Sequence, residues 1–229
     1  MASEVEICNL ALANLGDRAD LASISPPEQN SRQAELCARY YPIARDVVLA
    51  GHSWSFNLKR ATVAQLAEPP LAGWLYQFAV PADALHILSV LPENSPTDLN
   101  LHRGVSPAGV RSSASSYAPP LAGYATQAFT VELGPNNQRV ILTNYPNPVV
   151  RYRARVLDAS LFTPECVVAL SWLLASYLAG PLIKGKEGAQ MAQNCQQFYA
   201  AFISRAIARD AGQAQAGVYT SPSAIRSRA

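Results

Sequence analysis

The spacing of apolar residues predicts helices at both ends of the chain and strands in its middle. From Val5 to Leu15, apolar residues recur every three or four positions, as one face of a helix requires. Ser3 and Glu6 form a capping box at the start of this stripe, in which each side chain bonds the other residue's backbone amide. The first predicted helix therefore begins after Ser3 and ends at Gly16.

A second helix is predicted from about Glu28 to Ala50. The run Ser25-Pro26-Pro27 before it is typical of a helix start, because proline is tolerated in the first turn. Pro42 lies inside the apolar pattern, and a proline there removes a backbone hydrogen bond and crowds the preceding turn. We therefore expect a kink or break at Pro42.

Two more helices are predicted near the C-terminus. Thr163-Pro164-Glu165 combines an N-cap residue, a proline at the first helical position and an acid in the first turn. That helix is expected to run to about Ala179, where the Gly180-Pro181 step ends it. The last helix is predicted over 187–209, with one apolar stripe and with glutamines and little charge elsewhere. The stripe consists of Met191, Cys195, Phe198, Phe202 and Ala206.

The middle of the chain predicts strands. Five short segments are rich in aromatic and β-branched residues and are bounded by Pro, Gly or Asn. They are Trp74–Val80, Leu85–Leu91, Phe129–Leu133, Arg139–Leu142 and Val149–Val156. The segment from Gly134 to Asn137 predicts a hairpin turn. Residues 92–127, rich in Pro, Ser, Ala and Gly, form a long connection that is either a functional or a mobile loop.

Together these elements predict an α+β fold. Residues 1–70 and 157–210 are expected to form an antiparallel-type helical bundle, because none of the helices can bury its stripe alone. Residues 71–156 are expected to form a small inserted β module. The tail, 211–229, has two arginines, no acid and no packing pattern, and is expected to be extended.

The composition adds one constraint. Only 15% of the residues are charged, whereas soluble domains average about 25%, so much of the surface must be buried or covered by partners. The net charge of +2 implies no general attraction to nucleic acid or membrane. Residues 166–183 are nearly long and apolar enough to span a bilayer, but interruptions by Ser, Gly and Pro favour a buried core helix and no membrane association.

The cysteines and other reactive residues do not form a recognisable catalytic or metal-binding pattern. One cysteine falls on the apolar stripe of each predicted helix, without the close spacing of structural zinc ligands. These cysteines are Cys8, Cys37, Cys166 and Cys195. They are expected to be buried thiols, and an acidic N-terminus without a signal peptide favours a reducing compartment. We expect no cofactor and no metal.

Catalytic motifs are likewise missing from the sequence. His52 precedes Ser53, but the Gly-x-Ser-x-Gly element that would present a nucleophile does not occur. The carboxylates have no recognisable glycosidase context, and neither GxGxxG nor GxxxxGK[ST] occurs. The sequence therefore predicts no catalytic residues and a protein that is not an enzyme.

Several segments resemble one family. The most specific are an Arg-Asp-x-x-Leu-x-x-x-x-Trp-x-Phe run and a Leu-Pro-x-Asp-like element in which Val80 replaces a common leucine. The first comprises Arg45, Asp46, Leu49, Trp54 and Phe56, and the second Val80, Pro81 and Asp83. These segments, with the opening SEVEICNLALANLG and the later RYRARVLDASLFTPECVVALSWLLASYLAGPLI, resemble the tail tubular protein A family, the head-to-tail adaptors of short-tailed bacteriophages. The likeness extends over most of residues 3–210, but not over the loop or the tail.

The resemblance implies a structural protein of the virion, assembled in the host cytoplasm. Its copies would form a homo-oligomeric ring, twelve-fold in such phages, beneath the portal protein. The helical bundle would form the ring wall, the β module would reach towards the tail nozzle protein, and the C-terminal tail would extend against the portal. Viral DNA would pass through the ring without specific binding.

Two groups of residues are candidates for contacts. Arg151, Arg153 and Arg155 alternate along a strand, so their guanidinium groups share one face. That face is either simply solvated or binds a neighbouring subunit's acids or phosphate in the channel. In the tail, the candidates for portal contact are Tyr219, Ile225, Arg226 and Arg228. Two other functions remain open: an envelope-degrading hydrolase acting during infection, and a module that binds DNA in the channel through the strand arginines.

Overall fold

A computed structural model of the protein describes residues 2–18, 20–28, 31–70, 73–92, 127–134 and 136–211. These residues form four helices and two small antiparallel sheets, which confirms the α+β class. The chain divides into two compact units. The first contains the described residues up to Arg45 and from Ala159 onwards, and the second is Asp46–Asp158.

Helix α1 spans Glu4–Asn14 and begins as predicted. The Glu6 amide donates to Ser3 Oγ at 3.1 Å, and the Ser3 amide donates to Glu6 Oε2 at 2.7 Å. Both halves of the capping box are therefore present, which satisfies two amides that the first turn leaves without helical partners. Gly16 follows with a φ of 77°, a left-handed conformation that glycine adopts without strain.

Helix α2 spans Arg32–Gly51, so the predicted start at Glu28 is wrong. Ser31 Oγ accepts the Ala34 amide at 3.2 Å at the true start. The Glu28 carboxylate instead accepts the amides of Ala22 and Ser23, which fixes the preceding loop. The helix continues through Pro42, so the helix does not break there.

Helix α3 spans Pro164–Ile183 and helix α4 spans Gly185–Ala211. The predicted end of α3 at the Gly180-Pro181 step is wrong, because the helix continues two residues beyond the proline. Lys184 caps its C-terminal end, with a φ of 60° and a backbone amide that donates to Gly180 O at 3.1 Å. Helix α3 is long and apolar enough to cross a membrane by composition, but 56% of its most apolar stretch is buried inside the protein.

Helices α1 and α4 both pack against α3. The α3–α4 contact is close: a Cβ atom on Gly188 would lie 3.1 Å from the backbone oxygen of Ala179. Only a glycine lets the two backbones approach this far without displacement. The Trp172 ring of α3 also lies 4.6 Å from the Phe198 ring of α4. Helix α3 is therefore the central apolar element of the first unit.

The second unit contains six strands in two antiparallel sheets. Their orders are β1–β6–β3 and β2–β5–β4. The strands are β1 Leu58–Thr62, β2 Tyr76–Ala79, β3 Ala84–Pro92, β4 Phe129–Leu133, β5 Arg139–Thr143 and β6 Pro148–Ala154. All five predicted strands are confirmed, with end points that differ by a few residues. Strand β1 lies in the stretch 1–70 that the pattern assigned to the helices, and it pairs with β6.

One hydrophobic core joins the two sheets. Its side chains are Phe78, Ala84, Ile87, Val90, Ile141, Val150, Tyr152 and Ala154. The predicted hairpin turn between β4 and β5 is confirmed: the Gly134 amide donates to Gln138 O at 2.8 Å, and Asn137 has a φ of 55°. Most of the predicted loop 92–127 and the tail 211–229 lie outside the described residues, so the expectations about them stay predictions.

Candidate interaction surface

Arg151 and Arg153 lie on the outer face of β6. Both side chains are partly exposed, whereas Val150, Tyr152 and Ala154, which alternate with them, are buried in the core. Arg155 follows directly after the strand and is exposed. The predicted alternation therefore holds within the strand, and the guanidinium groups point away from the core.

The strand register adds two basic residues to this face. Arg60 of β1 lies opposite Arg151, and His86 of β3 lies opposite Arg153. Directly opposite residues of antiparallel strands share one face of the sheet. We call the set Arg60, His86, Arg151 and Arg153 the basic face.

Arg153 forms hydrogen bonds with residues at the end of helix α2. Its Nε donates to Ser53 Oγ at 3.0 Å, and its Nη1 donates to the backbone oxygen of Ala50. The last carbonyl groups of a helix have no helical partner and carry partial negative charge, so a guanidinium group there is favourable. Burial lowers the pKa of Arg153. The residue therefore fastens the last turn of α2 to β6.

Arg155 makes a similar connection to α2, at Asp46, one helical turn before Ala50. Its Nε lies 2.8 Å from Asp46 Oδ2, and its backbone amide donates to Asp83 O at 2.7 Å. Arg153 and Arg155 thus both have partners inside the second unit. The alternating pattern revealed the shared direction of the arginines, but no local signal indicates that Asp46 and Ala50, about a hundred residues earlier, bind two of them.

Asp83 joins β1 to β6 at the sheet margin. Lys59 Nζ lies 2.8 Å from Asp83 Oδ2, and the Tyr152 hydroxyl donates to Asp83 Oδ1 at 3.0 Å. Burial alone would raise the pKa of Asp83, but the two donors outweigh it and the pKa is lowered. Burial first, and then the bond to Asp83, raise the pKa of Tyr152 to about 12. Both residues keep their ordinary charge at neutral pH and act as structural links.

All four cysteines are buried free thiols, as predicted. The hydrogen bond with Cys37, together with burial, raises the pKa of Cys8. Burial and the nearby Asp210 raise the pKa of Cys166 to about 12. In the ranges that the structure describes, no three His, Cys, Asp or Glu side chains are grouped so that they could hold a metal ion.

The tail candidates Tyr219, Ile225, Arg226 and Arg228 lie outside the described residues, so their role stays a prediction. In comparisons with known proteins, no protein family matches this sequence, and no curated protein matches it significantly.

Proposed function

We propose that the protein is a structural head-to-tail adaptor of a short-tailed bacteriophage, similar to tail tubular protein A. In this proposal, copies of the chain form a ring beneath the portal protein, carry the tail nozzle and line the DNA exit channel. The protein acts by docking and not by catalysis. In this proposal the protein acts as a component of the virion.

The observation that carries the proposal is the structural role of the residues that resemble the family. Trp54 is completely buried, and its Nε1 donates to Val48 O at 2.9 Å. Asn57 Nδ2 donates to Leu49 O at 2.8 Å, and Asp46 is paired with Arg155. These residues of the motif region therefore form one packed structural element around the end of α2. A structural role of these residues supports an assembly protein more than an enzyme, because the characteristic residues of an enzyme would line a cleft.

We further propose that the four helices act as one bundle that forms the ring wall. Helices α1 and α4 pack on α3. Helix α2 is linked to α3 by the Tyr40 and Tyr177 rings, 6.2 Å apart, and by a 2.8 Å hydrogen bond from Arg32 Nη2 to Pro181 O. These contacts support a bundle in which both chain ends contribute.

Electron microscopy of negatively stained particles tests the proposal. Purified protein mixed with the portal protein of the phage that encodes it should form rings on the portal, whereas the protein alone should be largely monomeric. A chain truncated after Asp210 should lose portal binding if the tail makes that contact. Failure of the full-length protein to bind the portal, or lysis of peptidoglycan in a zymogram that one carboxylate substitution abolishes, would contradict the proposal.

The basic face favours a second candidate, a module that contacts DNA in the channel. Arg60 and Arg151 lie opposite each other on the outer side of the sheet, and guanidinium groups bind phosphate well. DNA binding through them requires an affinity that falls steeply with salt: the slope of log K against the logarithm of salt concentration should be about −0.9 for each phosphate contact. Fluorescence anisotropy with a labelled duplex, for the native protein and Arg151→Gln, measures this. Binding that is absent or insensitive to salt removes the candidate.

A further inference from the structure

Helix α4 carries an unusually uncharged exposed surface. From Gly188 to Ser204 the helix contains no Asp, Glu, Lys or Arg. We call its exposed positions in that stretch the uncharged face. They are Ala189, Gln190, Gln193, Gln196, Gln197, Phe198, Ala200, Ala201 and Ser204. Helical surfaces that remain in water normally carry charges, and depletion of charge is typical of the buried centre of an interface.

An aromatic cluster lies at the margin of this face, where α4 packs against α3. Phe198 was predicted on the apolar stripe of the last helix, but 49% of it is exposed. Its ring lies 4.6 Å from Trp172, and the nearly parallel ring of Phe202 lies 6.4 Å from the same tryptophan. The Arg205 guanidinium lies 5.6 Å from the centre of the Phe202 ring. Aromatic residues and arginine are frequent energetic anchors of protein interfaces.

We infer that the uncharged face is the contact through which one copy of this chain binds a second copy. The inference rests on the proposed function, because it assigns the surface that joins neighbours in the ring. The charge distribution selects the occupant: a strongly charged partner would lose hydration here without gaining an opposite charge. A second copy of this chain, with only 15% charged residues, can meet the face without burying an unpaired charge.

The size of the face limits how tightly a single contact between two copies can bind. At 1.5 Å per residue, the stretch from Gly188 to Ser204 is about 25 Å long, and a helix is about 10 Å wide. The footprint of about 250 Å² is well below the roughly 800 Å² that each partner contributes to a stable interface. One such contact is therefore weak. Dilute protein should be monomeric, and association should become visible only at high concentration or when a ring closes.

Sedimentation velocity of the full-length protein over a wide concentration range tests the inference. The weight-average mass of the native protein should rise with concentration. Phe198→Arg places a charge at the margin of the face, on the aromatic cluster, and should weaken association at least about tenfold, the effect of losing one anchor residue. Leu133→Arg is the matched control, because Leu133 is 71% exposed on β4 and should leave association unchanged. Circular dichroism establishes that both variants are folded.

A photoreactive benzoylphenylalanine placed at Gln197, and separately at Leu133, gives an independent readout. Crosslinks between two copies should form from position 197 and not from position 133. Equal association of Phe198→Arg and native protein, or no intermolecular crosslink from position 197, overturns the inference. Rings on the portal in that case would leave the proposed function standing. A native protein that neither associates nor forms rings would overturn both.

Discussion

Trp54 is the largest side chain that the described part of the protein buries completely. Its indole donates to Val48 O, the His52 ring meets it edge-on at 4.8 Å, and Phe56 stacks on it at 5.8 Å. A ring of this size at the end of α2 fixes where the helix ends and how the chain enters β1. The residue is therefore decisive for the local fold.

Replacing Trp54 with phenylalanine should destabilise the protein by about 1–3 kcal/mol, because the Val48 carbonyl loses a buried donor and a small cavity remains. Urea unfolding followed by circular dichroism measures the free energy of unfolding. Trp74→Phe is the matched control, since Trp74 is only partly buried, and its cost should be clearly smaller. Equal costs for the two variants would contradict the assigned role of Trp54.

Asp83 should make stability depend on pH at the acid end. The unfolded carboxyl group titrates near its ordinary pKa of 3.8, and the folded pKa is lower. The stabilisation is thus fully present above pH 3.8 and is lost as pH falls through the folded pKa. The carboxylate is 37% exposed, so solvent screens the pair and Asp83→Asn should cost at most about 1 kcal/mol at pH 7.

Denaturant unfolding of native protein and Asp83→Asn at several pH values checks this dependence. The difference in unfolding free energy should be constant from pH 7 to about pH 5 and should shrink below pH 3.8. Asp20→Asn, a change of an exposed aspartate, should show a much smaller difference throughout. A gap for Asp83→Asn that is the same at pH 3 and pH 7 would refute the linkage.

Local chemistry was predictable from the sequence, whereas long-range partners were not. Ser3 and Glu6 are three residues apart, so their capping box could be read directly, and the apolar stripes correctly placed all four cysteines in the interior. The bonds from Arg153 to Ser53 and Ala50 cross about a hundred residues, and no local pattern encodes them. For the same reason the basic face emerged only with the strand register.

At the scale of elements, the errors occurred where tertiary context outweighs local propensity. Pro181 was expected to end α3, but the helix continues to Ile183, where close packing of α3 on α4 around Gly188 outweighs the cost of the proline. Strand β1 escaped prediction because Leu58-Lys59-Arg60-Ala61-Thr62 lacks apolar alternation. As an edge strand it needs only the backbone of β6 as a partner, and its charges suit an edge.

Helix α1 offers a direct test of a correctly predicted element boundary. Ser3→Ala removes the oxygen that accepts the Glu6 amide and should lower the free energy of unfolding by about 1 kcal/mol. Ser204→Ala is the matched control, because Ser204 lies in the body of α4 and bonds only the Ala200 carbonyl. That change should be neutral or slightly stabilising, since alanine has the higher helix propensity. Thermal and urea unfolding distinguish the two results.

At the scale of the whole molecule, the two compact units carry different kinds of surface. The unit Asp46–Asp158 has its own hydrophobic core and bears the basic face on one sheet. The other unit contains α4 and its uncharged face. In the proposed adaptor, contacts between copies therefore belong to the helical unit, and contacts with anions belong to the β unit.

This separation predicts that the fragment 46–158 folds alone as a β-rich domain and stays monomeric. Its core side chains come entirely from its own strands, so far-UV circular dichroism should show β structure with a cooperative thermal transition. In the fragment, Phe78→Ala should cost about 3–5 kcal/mol, much of a small domain's stability, whereas Leu75→Ala, at a 68% exposed position, should cost little. Because it lacks α4, the fragment should remain monomeric at concentrations where the full-length protein associates. A disordered fragment would show that the β unit needs the helices to fold, and an associating one would place contacts between copies on the β unit.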